Sequence, residues 1–220
     1  MSLTKEMVED AKRLLNLMGI PCVQAVHDAE AQAAHIVKAG DAWAVGTKDY
    51  DALLYGSPRV IRYITLTGTK LLPSKGVVRP LRPEIIELSD VLSKLGITRR
   101  QLVEIAILVG TDYNEGVKGI GPKRALKLIK TYGSLERLPP RIREALPENY
   151  EQVRELFLNP QVCRYSIELR PPNLEGLRDF LREKGFSESR ISTIISRLSR
   201  LTPLPHSETI EKWVSGDEGT

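Results

Sequence analysis

Five acidic side chains lie where a predicted strand or helix ends, so the chain could bring them to one site. These acids are Asp28, Glu30, Asp49, Asp51 and Asp112. Carboxylates on adjacent loops are the oxygen ligands that Mg²⁺ prefers, and several of them would balance the charge of two metal ions that activate water. Asp is also common in turns and at helix N-caps, so Asp28 could simply cap the helix after it. The spacing alone leaves both interpretations open.

A second candidate site is a pair of glycines, Gly119 and Gly121, followed by Pro122 and a basic helix. Glycines let a phosphate approach the backbone, proline suits the first helical turn, and the N-terminus of a helix attracts anions. The basic side chains of this segment are Lys123, Arg124, Lys127 and Lys130. The pattern predicts a grip on the nucleic-acid backbone, although an ordinary turn beside a solvated basic face has the same short signature.

The elements that position the acids alternate between helical and extended patterns. A helix ending at Gly19 is followed by an extended segment at 20–26, a helix at 29–38 and an apolar strand at 42–46. This alternation predicts an α/β fold with a parallel sheet, and the carboxyl ends of parallel strands converge on one crevice. Residues 60–72 carry strand and turn signals that predict a hairpin at the edge of the sheet.

From about Pro83 the pattern becomes helical. Thr98 and Gln101 form a predicted capping box, and Gly110 ends the helix that starts there. We therefore divide the chain into an α/β core at 1–96 and a helical region at 97–220 with the glycine pair inside it.

Composition sets outer bounds on the function. The formal net charge of +4 and a pI near 9.0 are compatible with a polyanionic partner without requiring one. We find no secretory signal and no apolar run long enough to cross a bilayer, and we expect an intracellular, cytoplasmic protein without a membrane partner. Cys22 and Cys163 lack metal-site spacing, and we expect both to be reduced.

Several segments of the sequence resemble those of the flap endonucleases in order and approximate spacing, and the resemblance is greatest to the archaeal enzymes. The matching segments are Asp28-Ala-Glu30, Thr47-Lys-Asp49-Tyr-Asp51, Val109-Gly-Thr-Asp112, Gly119-Ile-Gly121-Pro-Lys-Arg, Phe157-Leu-Asn-Pro160 and Phe186-Ser-Glu-Ser-Arg190. The resemblance covers essentially the whole chain. Flap endonucleases cut DNA at a 5′ flap junction during replication and repair.

The resemblance implies a PIN-like, mostly parallel sheet flanked by helices, followed by a helical DNA-binding region. The five acids would help to hold two Mg²⁺ ions, or Mn²⁺, and would be the catalytic residues. A helix-two-turn-helix element at about 98–130 would bind double-stranded DNA, using the glycines and basic residues named above, and would hold a K⁺ ion. No small-molecule cofactor is expected.

Three departures from the family pattern bear on activity. The family's N-terminal region, with the first strand and two further metal-binding aspartates, has no counterpart here, so the predicted sheet is incomplete. The family usually has Glu where Asp28 stands. The tail at 207–214 resembles a degenerate form of the family's sliding-clamp peptide, with Ser207 and Val214 in place of the usual Gln and aromatic residue. Ile210 and Trp213 could still anchor it to a clamp, and loss of the motif is the alternative.

Three functions remain in competition. The leading hypothesis is a magnesium-dependent 5′ flap endonuclease that hydrolyses phosphodiesters. The alternative is a noncatalytic module that binds DNA and the clamp but lacks a complete active site. A single-strand ribonuclease with the same acids is a third hypothesis, which fits the glycine pair and basic helix less well.

Overall fold

The computed structural model describes residues 3–64, 69–72, 77–80 and 82–200. The α-helices in these residues are α1 (Lys5–Leu17), α2 (Ala29–Ala39), α3 (Asp51–Leu54), α4 (Leu88–Leu95), α5 (Arg99–Val109), α6 (Pro122–Tyr132), α7 (Pro140–Arg143), α8 (Tyr150–Leu158), α9 (Leu174–Glu183) and α10 (Glu188–Leu198). The strands are β1 (Val45–Gly46), β2 (Arg59–Arg62), β3 (Thr69–Leu72), β4 (Val77–Pro80), β5 (Glu84–Glu87), β6 (Gly110–Thr111) and β7 (Asn114–Glu115). A 3-10 helix spans Leu135–Arg137.

The chain forms two compact units. The central unit is Ala25–Cys163, and the terminal unit combines Met1–Gln24 with Arg164–Thr220. All five candidate acids and the glycine pair belong to the central unit. The predicted boundary between residues 96 and 97 lies within this unit, and that division stays a prediction.

In the terminal unit, α1, α9 and α10 enclose a small apolar core. Its buried side chains are Leu177, Phe180, Leu181 and Ile191. The predicted strand at 20–26 is wrong, because the structure assigns no strand there. The carbonyl oxygens just before it, at Leu17 and Gly19, instead accept hydrogen bonds from the backbone of Asn173 and Arg170.

The main sheet lies in the central unit and has the order β1-β2-β5. Strand β1 pairs in parallel with β2, and β2 pairs antiparallel with β5. The predicted strand at 42–46 is reduced to Val45–Gly46, which pair with Val60 and Ile61. Because β1 and β2 are parallel, the residues that follow them lie at the same edge of the sheet.

Two predictions about strands differ from the structure. The hairpin joins β3 to β4 in a separate sheet, so β2 does not pair with β3 as residues 60–72 suggested. The segment just after Pro83 is not helical but forms β5. Ile85 and Ile86 are β-branched and suit a strand. This segment pairs with the edge of β2, and the backbone hydrogen bonds between the two strands favour a strand over a helix.

Helix α5 runs through the core of the central unit. Val103, Ile107 and Leu108 on this helix are buried, and they belong to the same apolar cluster as Ile129 of α6 and Phe157 of α8. The predicted capping box is confirmed. The Thr98 side chain accepts from the Gln101 amide, and the Gln101 side chain accepts from the Thr98 amide at 2.9 Å.

A buried ion network fixes α5 against α8. Glu104 is fully buried on α5, and its Oε1 atom accepts from Arg154 of α8 at 3.1 Å and from Arg100 at 3.2 Å. Arg154 also donates to Glu136, which follows α6. Burial alone would raise the pKa of Glu136, but Arg154 and Ser134 lower it to about 2. The second carboxylate oxygen of Glu104 is buried, and no residue in the described part of the chain donates a hydrogen bond to it.

Two sequence expectations about the surface can be compared with the structure. Neither Cys22 nor Cys163 takes part in a disulfide bond within the part of the chain that the structure describes. Among the described residues, no helix has the length and apolar character needed to cross a membrane. Ile210 and Trp213 of the predicted clamp motif lie outside the described residues.

A candidate metal centre beside a helical hairpin

The sheet edge after β1 and β2 places three polar residues together. The Thr47 amide, directly after β1, donates to the Ile61 carbonyl of β2 at 3.1 Å. The Thr47 hydroxyl donates to Glu30 Oε1 and accepts from the Asp49 amide at 3.1 Å. Thr47 therefore links the first turn of α2 to the acidic loop that follows β1. Thr47 was not among the site residues predicted from the sequence, although its position at the end of a strand was a usable signal.

Of the five candidate acids, Glu30 has the carboxylate oxygen that is best placed to bind a cation. Its Oε1 atom accepts from Thr47, whereas Oε2 is buried and has no hydrogen-bond partner among the described residues. A buried, unpaired carboxylate oxygen costs free energy unless a cation or a donor reaches it. Oxygen is the ligand type that hard divalent cations take, so Glu30 fits a metal ion.

The five acids share one electrostatic environment centred on Asp51. Asp51 is the first residue of α3, and burial is the largest cause of its raised pKa. The other contributions that raise this pKa come from the negative charges of Glu30, Asp112, Asp49 and Asp28, in that order. The structure therefore brings all five predicted acids into one region, where a bound cation would relieve their mutual repulsion.

The acids nevertheless do not form a closed cage. Among the described residues, no group of three or more Asp, Glu, His or Cys side chains is arranged to hold a metal ion. The cluster thus has the charge and the donor atoms for a divalent cation, with its ligands spread more widely than a compact coordination sphere.

Asp28 differs from the other four acids because both of its carboxylate oxygens already accept hydrogen bonds. Oδ1 accepts from the Glu30 amide at 2.7 Å and caps α2, and Oδ2 accepts from the hydroxyls of Tyr113 at 2.7 Å and Tyr55 at 3.0 Å. Burial would raise the pKa of Asp28, but the hydrogen bonds from Tyr113, Glu30 and Tyr55 outweigh it and lower the pKa. The capping interpretation of Asp28 is therefore confirmed, and its metal-binding role stays a prediction.

The two tyrosines on Asp28 are functional candidates that the sequence analysis missed. Their hydroxyls lie 3.1 Å apart, and both rings pack on Phe157, with centroid distances of 4.9 Å for Tyr55 and 5.7 Å for Tyr113. Tyr113 directly follows Asp112, so this cluster ties the turn that carries Asp112 to the start of α2. Each tyrosine stands beside a matched motif, but periodicity does not predict that they meet.

A tight turn between β6 and β7 presents Asp112. Thr111 Oγ1 accepts from the Tyr113 amide at 3.1 Å and donates to Asn114 Oδ1 at 2.7 Å. Gly116 closes the turn because an added Cβ would lie 2.1 Å from the Val109 carbonyl oxygen. Asp112 is thereby held at the C-terminal end of α5, exposed to solvent.

The glycine pair forms an open loop between two anchored residues. Val117 and Ile120 are buried, and the Ile120 amide donates to the Val117 carbonyl at 2.9 Å. Gly119 adopts a left-handed φ of 79°, and Gly121 is the N-cap of α6, with Pro122 in its first turn. Apart from its chain neighbours, no atom of the described residues lies within 4 Å of a Cβ added at either glycine. The loop backbone is therefore accessible next to the positive end of a helix.

The predicted basic residues of α6 do not all have the same freedom. Lys123, Arg124 and Lys127 are exposed, and Arg124 donates to the Gly119 carbonyl at 3.2 Å, which holds its guanidinium beside the glycine loop. Lys130 is also exposed, but it donates to the carbonyl of Leu95 at the end of α4 at 2.9 Å. Lys118, which the sequence analysis overlooked, is exposed in the same loop, one residue before Gly119.

Comparisons of sequence and of structure match the chain to the same group of proteins. The family model of the XPG I-region matches residues 19–112. The chain is 51% identical to flap endonuclease 1 of Methanopyrus kandleri, over 89% of this chain and 59% of that protein. The structure of flap endonuclease-1 from Methanococcus jannaschii matches with a TM-score of 0.76 at 42% identity, over 89% of this chain and 58% of that one. Human GEN1 in complex with Holliday junction DNA matches with a TM-score of 0.67 at 26% identity, over 88% of this chain and 52% of that one.

These matches define what the chain shares with its relatives. It spans about three fifths of the length of the curated relatives, with 59% and 57% covered for two of them. Over that span it has the PIN-like fold of these nucleases, with the small mixed sheet and helical region described above. Over 89% of its length, the chain is similar in sequence and in fold to flap endonuclease 1.

Proposed function

We propose that this protein is a metal-dependent 5′ flap endonuclease that hydrolyses a DNA phosphodiester during replication and repair. The observation that carries the proposal is a set of hydrogen bonds that ties the acidic segments together: Thr47 links Glu30 to the Asp49 loop, and Tyr113, next to Asp112, donates to Asp28. After the larger effect of burial, the negative charges of these four acids also raise the pKa of the partly buried Asp51. The short β6–β7 turn connects Asp112 of this cluster to the glycine loop, which lies between β7 and α6. A hydrolytic centre and a phosphate grip joined by so short a segment would suit a nuclease that cuts at a fixed distance from the duplex it holds.

The residues that would hold two Mg²⁺ or Mn²⁺ ions are Glu30, Asp49, Asp51 and Asp112, with Asp28 as a more distant member. The fit rests on the unpaired, buried Oε2 atom of Glu30 and on the all-oxygen donor set. When bound, such ions would lower the pKa of water and stabilise the charge that develops on the phosphate.

The protein's own contribution is orientation. Thr47 fixes one oxygen of Glu30 and so directs the other, while the Asp49 amide is tethered to the same hydroxyl. The hydrogen bonds from Tyr55 and Tyr113 to Asp28 fix the position of the Asp112 turn relative to α2. These contacts would pre-organise the acids and limit the cost of assembling them around a substrate.

The glycine loop and α6 would hold double-stranded DNA by its backbone. The residues proposed for this contact are Gly119, Gly121, Lys123, Arg124, Lys127 and Lys130, to which the exposed Lys118 is added. Phosphate contacts position a duplex without reading its sequence. In the same proposal, a K⁺ ion would take backbone carbonyl oxygens of the loop at 116–121, and Ile210 and Trp213 would anchor a sliding clamp.

A noncatalytic DNA-binding module is the second candidate. The observation in its favour is that the acids of the described residues are not gathered into a cage for a metal ion. The ribonuclease hypothesis is less favoured, because an open glycine loop beside a basic helix suits the backbone of a duplex better than an unpaired strand.

A substrate panel distinguishes the three candidates. We would incubate the purified chain with Mg²⁺ and labelled 5′-flap DNA, blunt duplex DNA or single-stranded RNA, and record both retention and cleavage. The proposal predicts cleavage of the flap substrate in preference to the other two. Retention of flap DNA without any cleavage would favour the binding module, and cleavage of RNA in preference to flap DNA would overturn the proposal.

A further inference from the structure

An exposed aromatic side chain stands in the middle of the acidic loop. Tyr50 lies between Asp49 and Asp51 and is 52% exposed, although the next residues, Ala52 and Leu53, are buried. A single exposed aromatic residue is common on protein surfaces and shows little by itself. The surroundings of Tyr50 distinguish it from an ordinary surface side chain.

Arg62 holds Tyr50 in place from the neighbouring strand. Its guanidinium carbon lies 4.1 Å from the ring centroid of Tyr50 and 4.6 Å from that of Tyr63. The same guanidinium group donates to the Lys48 carbonyl at 2.9 Å and to the Tyr50 hydroxyl, and it lies 3.6 Å from Glu84. The Arg62 side chain is only 14% exposed. It is thus a fixed spacer between two rings and not a free cation for phosphate.

The backbone at Tyr63 is unusual in a way that supports this arrangement. Tyr63 directly follows β2 and has a φ of 62°. Among the described residues, it is the only non-glycine residue with a positive φ. Such a conformation is disfavoured for residues with a Cβ and tends to occur where surrounding contacts fix it, often at functional sites. Because β1 and β2 are parallel, Tyr63 lies at the same sheet edge as the acidic loop.

The geometry points to Tyr50, supported by Arg62 and Tyr63, as a stacking platform for an unpaired nucleobase of the DNA strand whose phosphate reaches the acids. One face of the Tyr50 ring is covered by the guanidinium group, and the rest of the ring is open to a ligand. Where no metal ion neutralises them, the carboxylates beside Tyr50 repel phosphate, whereas the face of a neutral base is not repelled. Stacking on an aromatic side chain also tolerates any base, which suits an enzyme selective for structure. This inference rests on the proposed function and names a substrate contact for it.

The test uses 2-aminopurine, whose fluorescence falls when it stacks. We would place it at the first unpaired flap nucleotide or at a remote duplex position, and bind the DNA in Ca²⁺ in place of Mg²⁺. We expect a fluorescence change on binding at the flap position that is lost in Tyr50→Ala and kept in Tyr50→Phe, which retains the ring. Phe186→Ala, which removes another exposed aromatic residue (43%), should keep it too.

An abasic nucleotide at the same flap position provides an independent readout. It should weaken binding by the wild-type chain about 5- to 100-fold, the range expected for one stacked base, and have little effect on Tyr50→Ala. Thermal melts of each variant establish that it is folded. An equal abasic penalty in wild type and Tyr50→Ala, with DNA retained by both, would overturn the platform and leave the proposed function intact. Failure of the wild-type chain to retain flap DNA would overturn both.

Discussion

Gly121 allows the proposed DNA grip to be tested without disturbing the fold. Its φ of −94° and ψ of 178° are extended values that any residue adopts, and apart from its chain neighbours no described atom lies within 4 Å of an added Cβ. We therefore expect Gly121→Ala to stay folded and to lower the free energy of unfolding by no more than about 1 kcal/mol, because alanine is a poorer helix N-cap than glycine. A loss of DNA affinity in this variant would then come from the loop surface and not from unfolding.

The expected loss follows from the contact that the methyl group would obstruct. A hydrogen bond to a charged group contributes about 1.5–3 kcal/mol, so keeping one phosphate oxygen from the loop amides should weaken binding about 10- to 100-fold. The salt dependence should change little, because Gly121→Ala removes no cation. Lys123→Ala combined with Arg124→Ala should instead flatten the slope of log K against log salt by up to about 2, since it removes two phosphate-neutralising charges.

Fluorescence anisotropy with a labelled DNA duplex, measured over a series of salt concentrations, gives both quantities. Urea unfolding of the same samples checks that Gly121→Ala is folded. If this variant were stably folded and bound DNA as tightly as the wild type, the glycine loop would not be the phosphate contact. An unchanged salt slope in the Lys123 and Arg124 double variant would likewise remove those two cations from the grip.

Three further predictions concern the contacts that hold the site in place. Tyr113→Phe removes a 2.7 Å hydrogen bond to Asp28 and should cost about 1 kcal/mol at neutral pH. Because the folded-state pKa of Asp28 is lowered, its stabilising contribution is present above its ordinary pKa and lost as the pH falls. Unfolding experiments should therefore show the Tyr113→Phe deficit shrinking in acid, and a constant deficit would contradict this. Arg154→Met leaves the fully buried Glu104 with a single partner and should cost about 3–5 kcal/mol in urea unfolding, while a cost near zero would mean that the network is not buried in solution. Gly116→Ala drives a methyl group to 2.1 Å from a backbone oxygen and should cost about 1–3 kcal/mol and weaken Mg²⁺-dependent cleavage; wild-type values for both would contradict the tight turn.

The helices that position the site could be predicted because their signals are local. Thr98 with Gln101, Gly40 after α2 and Pro122 at the start of α6 each stand where the structure places a helix end. Capping and helical periodicity depend on residues within a few positions of one another. Local patterns therefore sufficed for α2, α5 and α6.

The strands were harder to predict because their hydrogen bonds depend on distant segments. The segment at 20–26 is extended in character but forms no strand, whereas Ile85 and Ile86 become a strand by pairing with β2. The choice of partner is made by the whole fold and leaves little trace in a single segment. The same limit applies to the β3–β4 hairpin.

The candidate site shows the same division between local and distant information. Motifs identified the five acids, and the structure brings them around Asp51. The role of Asp28 as an acceptor for two tyrosine hydroxyls required Tyr55 and Tyr113 to meet across 58 residues of sequence. The Arg62 spacer between Tyr50 and Tyr63 likewise depends on the pairing of β1 with β2.

Cleavage of a labelled 5′-flap DNA in Mg²⁺, by the purified chain and by its Asp49→Ala plus Asp51→Ala variant, tests whether the acidic cluster is a hydrolytic centre. Both aspartates belong to the acidic cluster, and the basic residues of α6 are left unchanged. We expect the wild-type chain to cleave the flap in Mg²⁺, and the variant to retain the DNA without cutting it. Retention without cleavage by the wild-type chain, or equal cleavage by both, would contradict that role.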